Sequence, residues 1–105
     1  MYTHKKSLGQ HFLKDENIIQ KIMLALKDES FVNLLEVGPG AGALTKHLMV
    51  LPDINFKAVE LDKEKVDYLY HKYPLLKDKI IHESFLEFDK PFDSSFTVIY
   101  DTYNL

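Results

Sequence analysis

Apolar residues first recur along the chain at helical spacing. Ile18, Ile19, Ile22, Met23 and Leu26 fall at i, i+4 and i+8 with their neighbours, an apolar stripe along a helix that Asp15 is placed to cap. The period then changes. FVNLLEVG, from Phe31 to Gly38, is a short leucine-rich and β-branched run closed by glycine, the pattern of a strand buried in a parallel sheet. A second helix is expected to begin within the glycine loop, with Leu44, Leu48 and Leu51 turned inward and Pro52 stopping it. Ile54 to Asp62 reads as a second strand, and Lys63 to Tyr73 as a helix ending before Pro74. Lys79 to His82 and Phe96 to Tyr100 supply third and fourth strands, with FLEFDKPFDSS as a connecting segment bounded by Pro91. Strands alternating with helices predict an open α/β fold, a doubly wound and mostly parallel sheet with right-handed crossovers. The sequence stops just after the fourth strand, so about half of the usual two-winged sheet is expected, its last strand short of a neighbour on one side.

Composition narrows the setting without naming a function. A chain of 105 residues, 46% hydrophobic and 28% charged, is globular and large enough for one core. With no cysteine it can form neither a disulfide framework nor a thiolate metal site, as suits a reducing cytosol. No stretch reaches the roughly 18 to 20 apolar residues of a membrane span, and MYTHKKSLGQ lacks the apolar core of a signal peptide, so a soluble, cytoplasmic protein is expected. The net charge of −3 gives no general attraction to nucleic acid, but Met1 to Lys14 carries Lys5, Lys6 and Lys14 with His4 and His11 and no acid. This basic arm is either solvated or a contact for phosphate. His4, His47, His71 and His82 show no metal-ligand spacing, and no metal site is expected.

Candidate chemistry concentrates in LLEVGPGAG, Leu34 to Gly42. A glycine loop between strand and helix lets backbone N–H groups approach a ligand and points the helix N-terminus at it. The spacing is GxGxG from Gly38 to Gly42 rather than GxGxxG, and no Lys-Ser or Lys-Thr follows, which argues against a P-loop. Glu60, about 20 residues further on at the end of the second strand, is placed to accept hydrogen bonds from ribose hydroxyls. Both a dinucleotide and S-adenosylmethionine present such a ribose. Glu36, just before the loop, is unfavourable beside a pyrophosphate and tolerable beside an ammonium or sulfonium, so the balance favours S-adenosylmethionine. The bland alternatives are an edge carboxylate bonded to loop N–H groups for Glu36 and a solvated strand end for Glu60.

Taken together, KKSLGQHFL (Lys5 to Leu13), LLEVGPGAGALTKHL (Leu34 to Leu48) and AVELD (Ala58 to Asp62) resemble the ribosomal RNA adenine N6,N6-dimethyltransferase family of the small subunit. A GQHFL arm about 25 residues before an EVGPGxGxLT loop is a specific combination, and the resemblance covers almost the whole chain. It implies a Rossmann-like class I methyltransferase fold that transfers methyl groups from S-adenosylmethionine to the exocyclic amines of paired adenines near the 3′ end of small-subunit RNA. It also implies that His11 and Leu13 cover the cofactor, Gly38 and Gly40 approach it and Glu60 holds its ribose. Where the family has an aspartate for the cofactor's adenine amine this chain has Ser84, an exchange worth about 1 to 2 kcal/mol, or roughly tenfold in affinity. The family's Asn-(Leu/Phe)-Pro-Tyr loop, which receives the target amine and stacks the flipped adenine, is matched only by Tyr100-Asp101-Thr102-Tyr103. Asp101 is the candidate for the amine and a further cofactor contact, and Tyr103 the candidate for stacking. By this resemblance residues 1–14 are a basic arm and 15–105 the N-terminal part of a methyltransferase domain whose C-terminal helical domain is absent; taken as complete, the chain is expected to bind cofactor with little or no turnover. The expected partner is small-subunit ribosomal RNA or the pre-ribosomal particle, and the expected state a monomer. Three alternatives stand beside it. They are a non-catalytic RNA-binding or ribosome-assembly module, a large-subunit enzyme of the macrolide-resistance type, and an NAD-linked oxidoreductase, which the loop spacing disfavours.

Overall fold

The structure is a computed structural model, and it describes residues 16–84 and 90–100. Helix α1 (Glu16–Lys27) is followed by strand β1 (Asn33–Val37), the one-turn helix α2 (Thr45–Leu48) and strand β2 (Asn55–Val59). Helix α3 (Lys63–Lys72), a 3-10 turn (Pro74–Leu76) and the strands β3 (Ile80–Ile81) and β4 (Thr97–Tyr100) complete it. Asp15, expected to cap α1, lies outside the described residues.

The four strands are parallel, in the order β3-β2-β1-β4. The chain moves outward from β1 to β2 to β3 and then returns past β1 to form β4. The strand order therefore reverses at β1, which is the doubly wound arrangement. In such sheets ligands bind beyond the carboxyl ends of the strands at the reversal. β4 meets β1 on one side and, among the described residues, no strand on the other.

Alternation along the strands sorts the core into two faces. Leu34, Phe56 and Ala58 pack with Ile19 of α1, Leu44 and Leu48 at α2, Leu69 of α3 and Leu76 of the 3-10 turn. Leu35, Val37 and Val59 point the other way and meet Phe92, with Ile81 and Val98 packed alongside. The return segment is thus laid across the second face. Lys57 fastens it there: its Nζ donates to the Pro91 carbonyl at 2.7 Å and stands 5.0 Å from the centre of the Phe92 ring. At the opposite end of the strands Asn33 donates through Nδ2 to Ser94 Oγ (2.9 Å) and the Ser95 carbonyl (3.0 Å), while Asn55 donates to Asn33 Oδ1 (3.2 Å).

All four strands are shorter than expected, β3 being only Ile80–Ile81, and two departures have a clear local cause. The second helix neither begins within the glycine loop nor runs on to Pro52; it is the single turn Thr45–Leu48. Gly38, Gly40 and Gly42 have φ of 76°, 59° and 89°, and no right-handed helix passes through them. At its other end the Leu51 N–H bonds the Leu48 carbonyl, closing a tighter turn. The second strand stops at Val59 rather than Asp62, because Asp62 serves the next helix: its side chain accepts from the Glu64 N–H at 2.9 Å as the α3 N-cap.

Candidate functional site

The loop from Gly38 to Leu44 leaves the carboxyl end of β1, the strand at which the order reverses. The Gly38 N–H still donates to the Val59 carbonyl (3.1 Å), carrying the β1–β2 ladder one step past the strand. The chain then turns through three left-handed glycines, and the Gly42 N–H closes a turn onto the Pro39 carbonyl at 3.0 Å. Gly42 also makes a close approach. A Cβ there would stand 2.8 Å from Tyr73 Cε2 and 2.9 Å from Leu69 Cδ2, so glycine lets the loop sit against the end of α3 without displacing either side chain.

Glu36, the last but one residue of β1, is fully buried on the helix side of the sheet. Its Oε1 accepts from the Thr45 hydroxyl at 2.6 Å, which ties the central strand to the first residue of α2 from beneath the loop. It is not the edge carboxylate of the bland reading, since β1 is flanked by β2 and β4. Thr45 went unread in the sequence because nothing in the pattern marks it as facing Glu36.

Glu60 follows β2 directly and is only 5% exposed. Its N–H donates to the Ile81 carbonyl (2.9 Å), and its Oε2 accepts from the Asp62 N–H (3.0 Å). Its Oε1 is buried with no hydrogen-bond partner among the described residues. A buried carboxylate oxygen without a donor is costly, about 1 to 3 kcal/mol, and so is a standing acceptor for a ligand hydroxyl. Glu60 is therefore not a solvated strand end.

Beyond β3, the His82 Nε2 meets the Leu61 carbonyl at 3.0 Å and Ser84 is half-buried. β4 ends level with the loop, Tyr100 being in register with Val37. Of the residues singled out in the sequence, Gly38, Gly40, Glu60 and Ser84 stand at this one end of the sheet, whereas His11, Leu13, Asp101 and Tyr103 lie outside the described residues.

An open groove of about 360 Å³ runs beside the loop, walled by Gly40, Ala41, Asp62, Glu64, Lys65 and Tyr68. On α3 below it the Lys63 ammonium bonds Asp67 at 2.7 Å; that hydrogen bond, together with the carboxylate's charge, holds the lysine above its ordinary pKa. The Tyr68 hydroxyl and the neighbouring tyrosines do the same for Lys72. Among the described residues no cluster of His, Cys, Asp and Glu could hold a metal, and no helix is long and apolar enough to cross a membrane.

The family model described as Ribosomal RNA adenine dimethylase matches residues 1–98. Three relatives, each named Ribosomal RNA small subunit methyltransferase A, illustrate the likeness. The chain is 51% identical to the Flavobacterium johnsoniae protein over 85 residues, covering 81% of this chain and 32% of that protein. It is 47% identical to the Parabacteroides distasonis protein over 97 residues (90% and 36%), and 48% identical to the Bacteroides thetaiotaomicron protein over 83 residues (79% and 31%). The chain thus spans about a third of the length of these relatives. A reversing parallel sheet with a left-handed glycine loop at the reversal and an acid closing the next strand is what a methyltransferase fold requires, and with a match over residues 1–98 the chain belongs to the ribosomal RNA adenine dimethylase family.

Proposed function

We propose that this chain supplies the cofactor-holding part of an S-adenosylmethionine-dependent enzyme that dimethylates adenines of small-subunit ribosomal RNA. The observation that carries the reading is the buried Oε1 of Glu60, without a donor among the described residues, beside a glycine loop with three left-handed φ angles. The ribose of the cofactor offers hydroxyl donors to that oxygen, and the residues present fit it. Gly38 and Gly40 let backbone approach the ligand, Leu61 offers an apolar side chain 66% exposed next to Glu60, and the Glu36 carboxylate beneath the loop sets a potential that favours a cationic ligand over pyrophosphate. When bound, S-adenosylmethionine supplies a methyl group on a sulfonium. Transfer to an amine asks the protein chiefly for proximity and alignment. Ser84 at the end of β3, and Asp101 with Tyr103 after β4, are the residues proposed to meet the cofactor's adenine and the target adenine; His11 and Leu13 are proposed to cover the cofactor. The names of the relatives favour the small-subunit target over the large-subunit one.

Thermal unfolding of the chain with S-adenosylmethionine, and with NAD as control, tests the reading. At about 100 times its Kd a ligand stabilises by roughly 2.7 kcal/mol, which for a domain of this size raises Tm by on the order of 10 °C. The expected result is a rise with S-adenosylmethionine alone. An equal rise with NAD, or none with either, rejects it.

A further inference from the structure

We infer that His82 is a positioning residue for Glu60, acting through the Leu61 carbonyl; the inference rests on Glu60 being the ribose acceptor proposed above. The turn that carries Glu60 is held at three points. The Glu60 N–H bonds the Ile81 carbonyl at 2.9 Å, the Asp62 N–H bonds Glu60 Oε2 at 3.0 Å, and His82 Nε2 reaches the Leu61 carbonyl at 3.0 Å. The first anchors the start of the turn. The other two act on one planar peptide, Leu61–Asp62: its carbonyl takes the His82 contact and its N–H bonds Glu60 Oε2, so holding the carbonyl orients the N–H that fixes the Glu60 carboxylate.

β3 is only two residues long, so its ladder with β2 ends at the Glu60 N–H. His82 extends that attachment by one residue, with a side chain in place of backbone. A carbonyl oxygen only accepts, so Nε2 carries the proton, and both the neutral Nε2–H tautomer and the imidazolium provide it. Because His82 is exposed, water competes for the bond, and its loss changes global stability little. What it changes is the definition of the turn. A net hydrogen bond of ordinary strength corresponds to about three- to tenfold in affinity when its whole effect is on ligand geometry.

The test is a double-mutant cycle on this chain, titrated calorimetrically with S-adenosylhomocysteine, using Glu60→Gln, His82→Phe, the double variant and His82→Gln. Phenylalanine keeps a ring and removes the donor, whereas glutamine restores an N–H donor. The expected result is that Glu60→Gln weakens binding, His82→Phe weakens it about three- to tenfold with Tm nearly unchanged, His82→Gln recovers most of the loss, and the double variant is no worse than Glu60→Gln alone. Additive losses in the double variant, full affinity in His82→Phe, or loss of its cooperative unfolding would each overturn the positioning role. Full affinity in Glu60→Gln would instead overturn the ribose assignment beneath it.

Discussion

Gly42→Ala isolates a close packing in the glycine loop. Its φ of 89° lies well beyond the left-handed minimum available to an L-residue, and a backbone held there carries about 1 to 2 kcal/mol of strain. The new methyl also arrives 2.8 Å from Tyr73 Cε2 and 2.9 Å from Leu69 Cδ2. Tyr73 is half-buried, whereas Leu69 is fully buried in the main core, so its side chain must repack to admit the methyl. Overpacking of that kind costs about 1 to 3 kcal/mol. The sum is about 2 to 5 kcal/mol, a large part of the roughly 5 to 15 kcal/mol that holds an ordinary domain folded. Circular dichroism should record a Tm lower by on the order of 10 to 30 °C. Gly40→Ala is the matched control. Its φ of 59° is a regular left-handed value, so about 1 kcal/mol is expected from the backbone. If Gly42→Ala is no more destabilising than Gly40→Ala, the contact with Leu69 and Tyr73 does not constrain the loop and the packing argument fails.

Three further outcomes follow from particular contacts. Thr45→Val removes the 2.6 Å donor to Glu36 Oε1 and should lower stability in urea by about 1 to 3 kcal/mol, while Thr45→Ser should recover most of it. Asp62→Ala removes the α3 N-cap, with an expected cost of about 1 kcal/mol and faster amide exchange at Glu64; Asp62→Asn should be nearly neutral. The raised Lys63 pKa means that its pairing with Asp67 stabilises fully below the unfolded-state lysine pKa and is lost as pH rises through the folded value. Stability of Lys63→Gln should therefore fall less than the parent's on the alkaline limb, and added salt should shrink that difference.

Much of the fold was legible because periodicity reports burial directly. The Ile19 stripe, the leucine-rich run through Val37 and the span from Ile54 each marked an element. Boundaries were less legible where a residue serves a neighbour. Asp62 reads as a strand end until α3 claims it as a cap, and Thr45 reads as an ordinary helix residue until Glu36 is seen beneath it. At the site, the glycines and Glu60 announced themselves by type and spacing. His82 did not, because a lone histidine carries no signal of the carbonyl it will face.

The order of the elements, the glycine loop between β1 and α2, and an acid at the close of β2 were set by the sequence alone, since each depends on local period or on a residue type with a narrow range of uses. The tertiary structure decided what no local pattern holds: that β4 returns beside β1, that this reversal sets the glycine loop and Glu60 at one end of the sheet, and that Glu60 keeps one oxygen without a donor among the described residues. Those outcomes depend on which distant groups come within hydrogen-bonding distance, and that is known only once the sheet has closed its register.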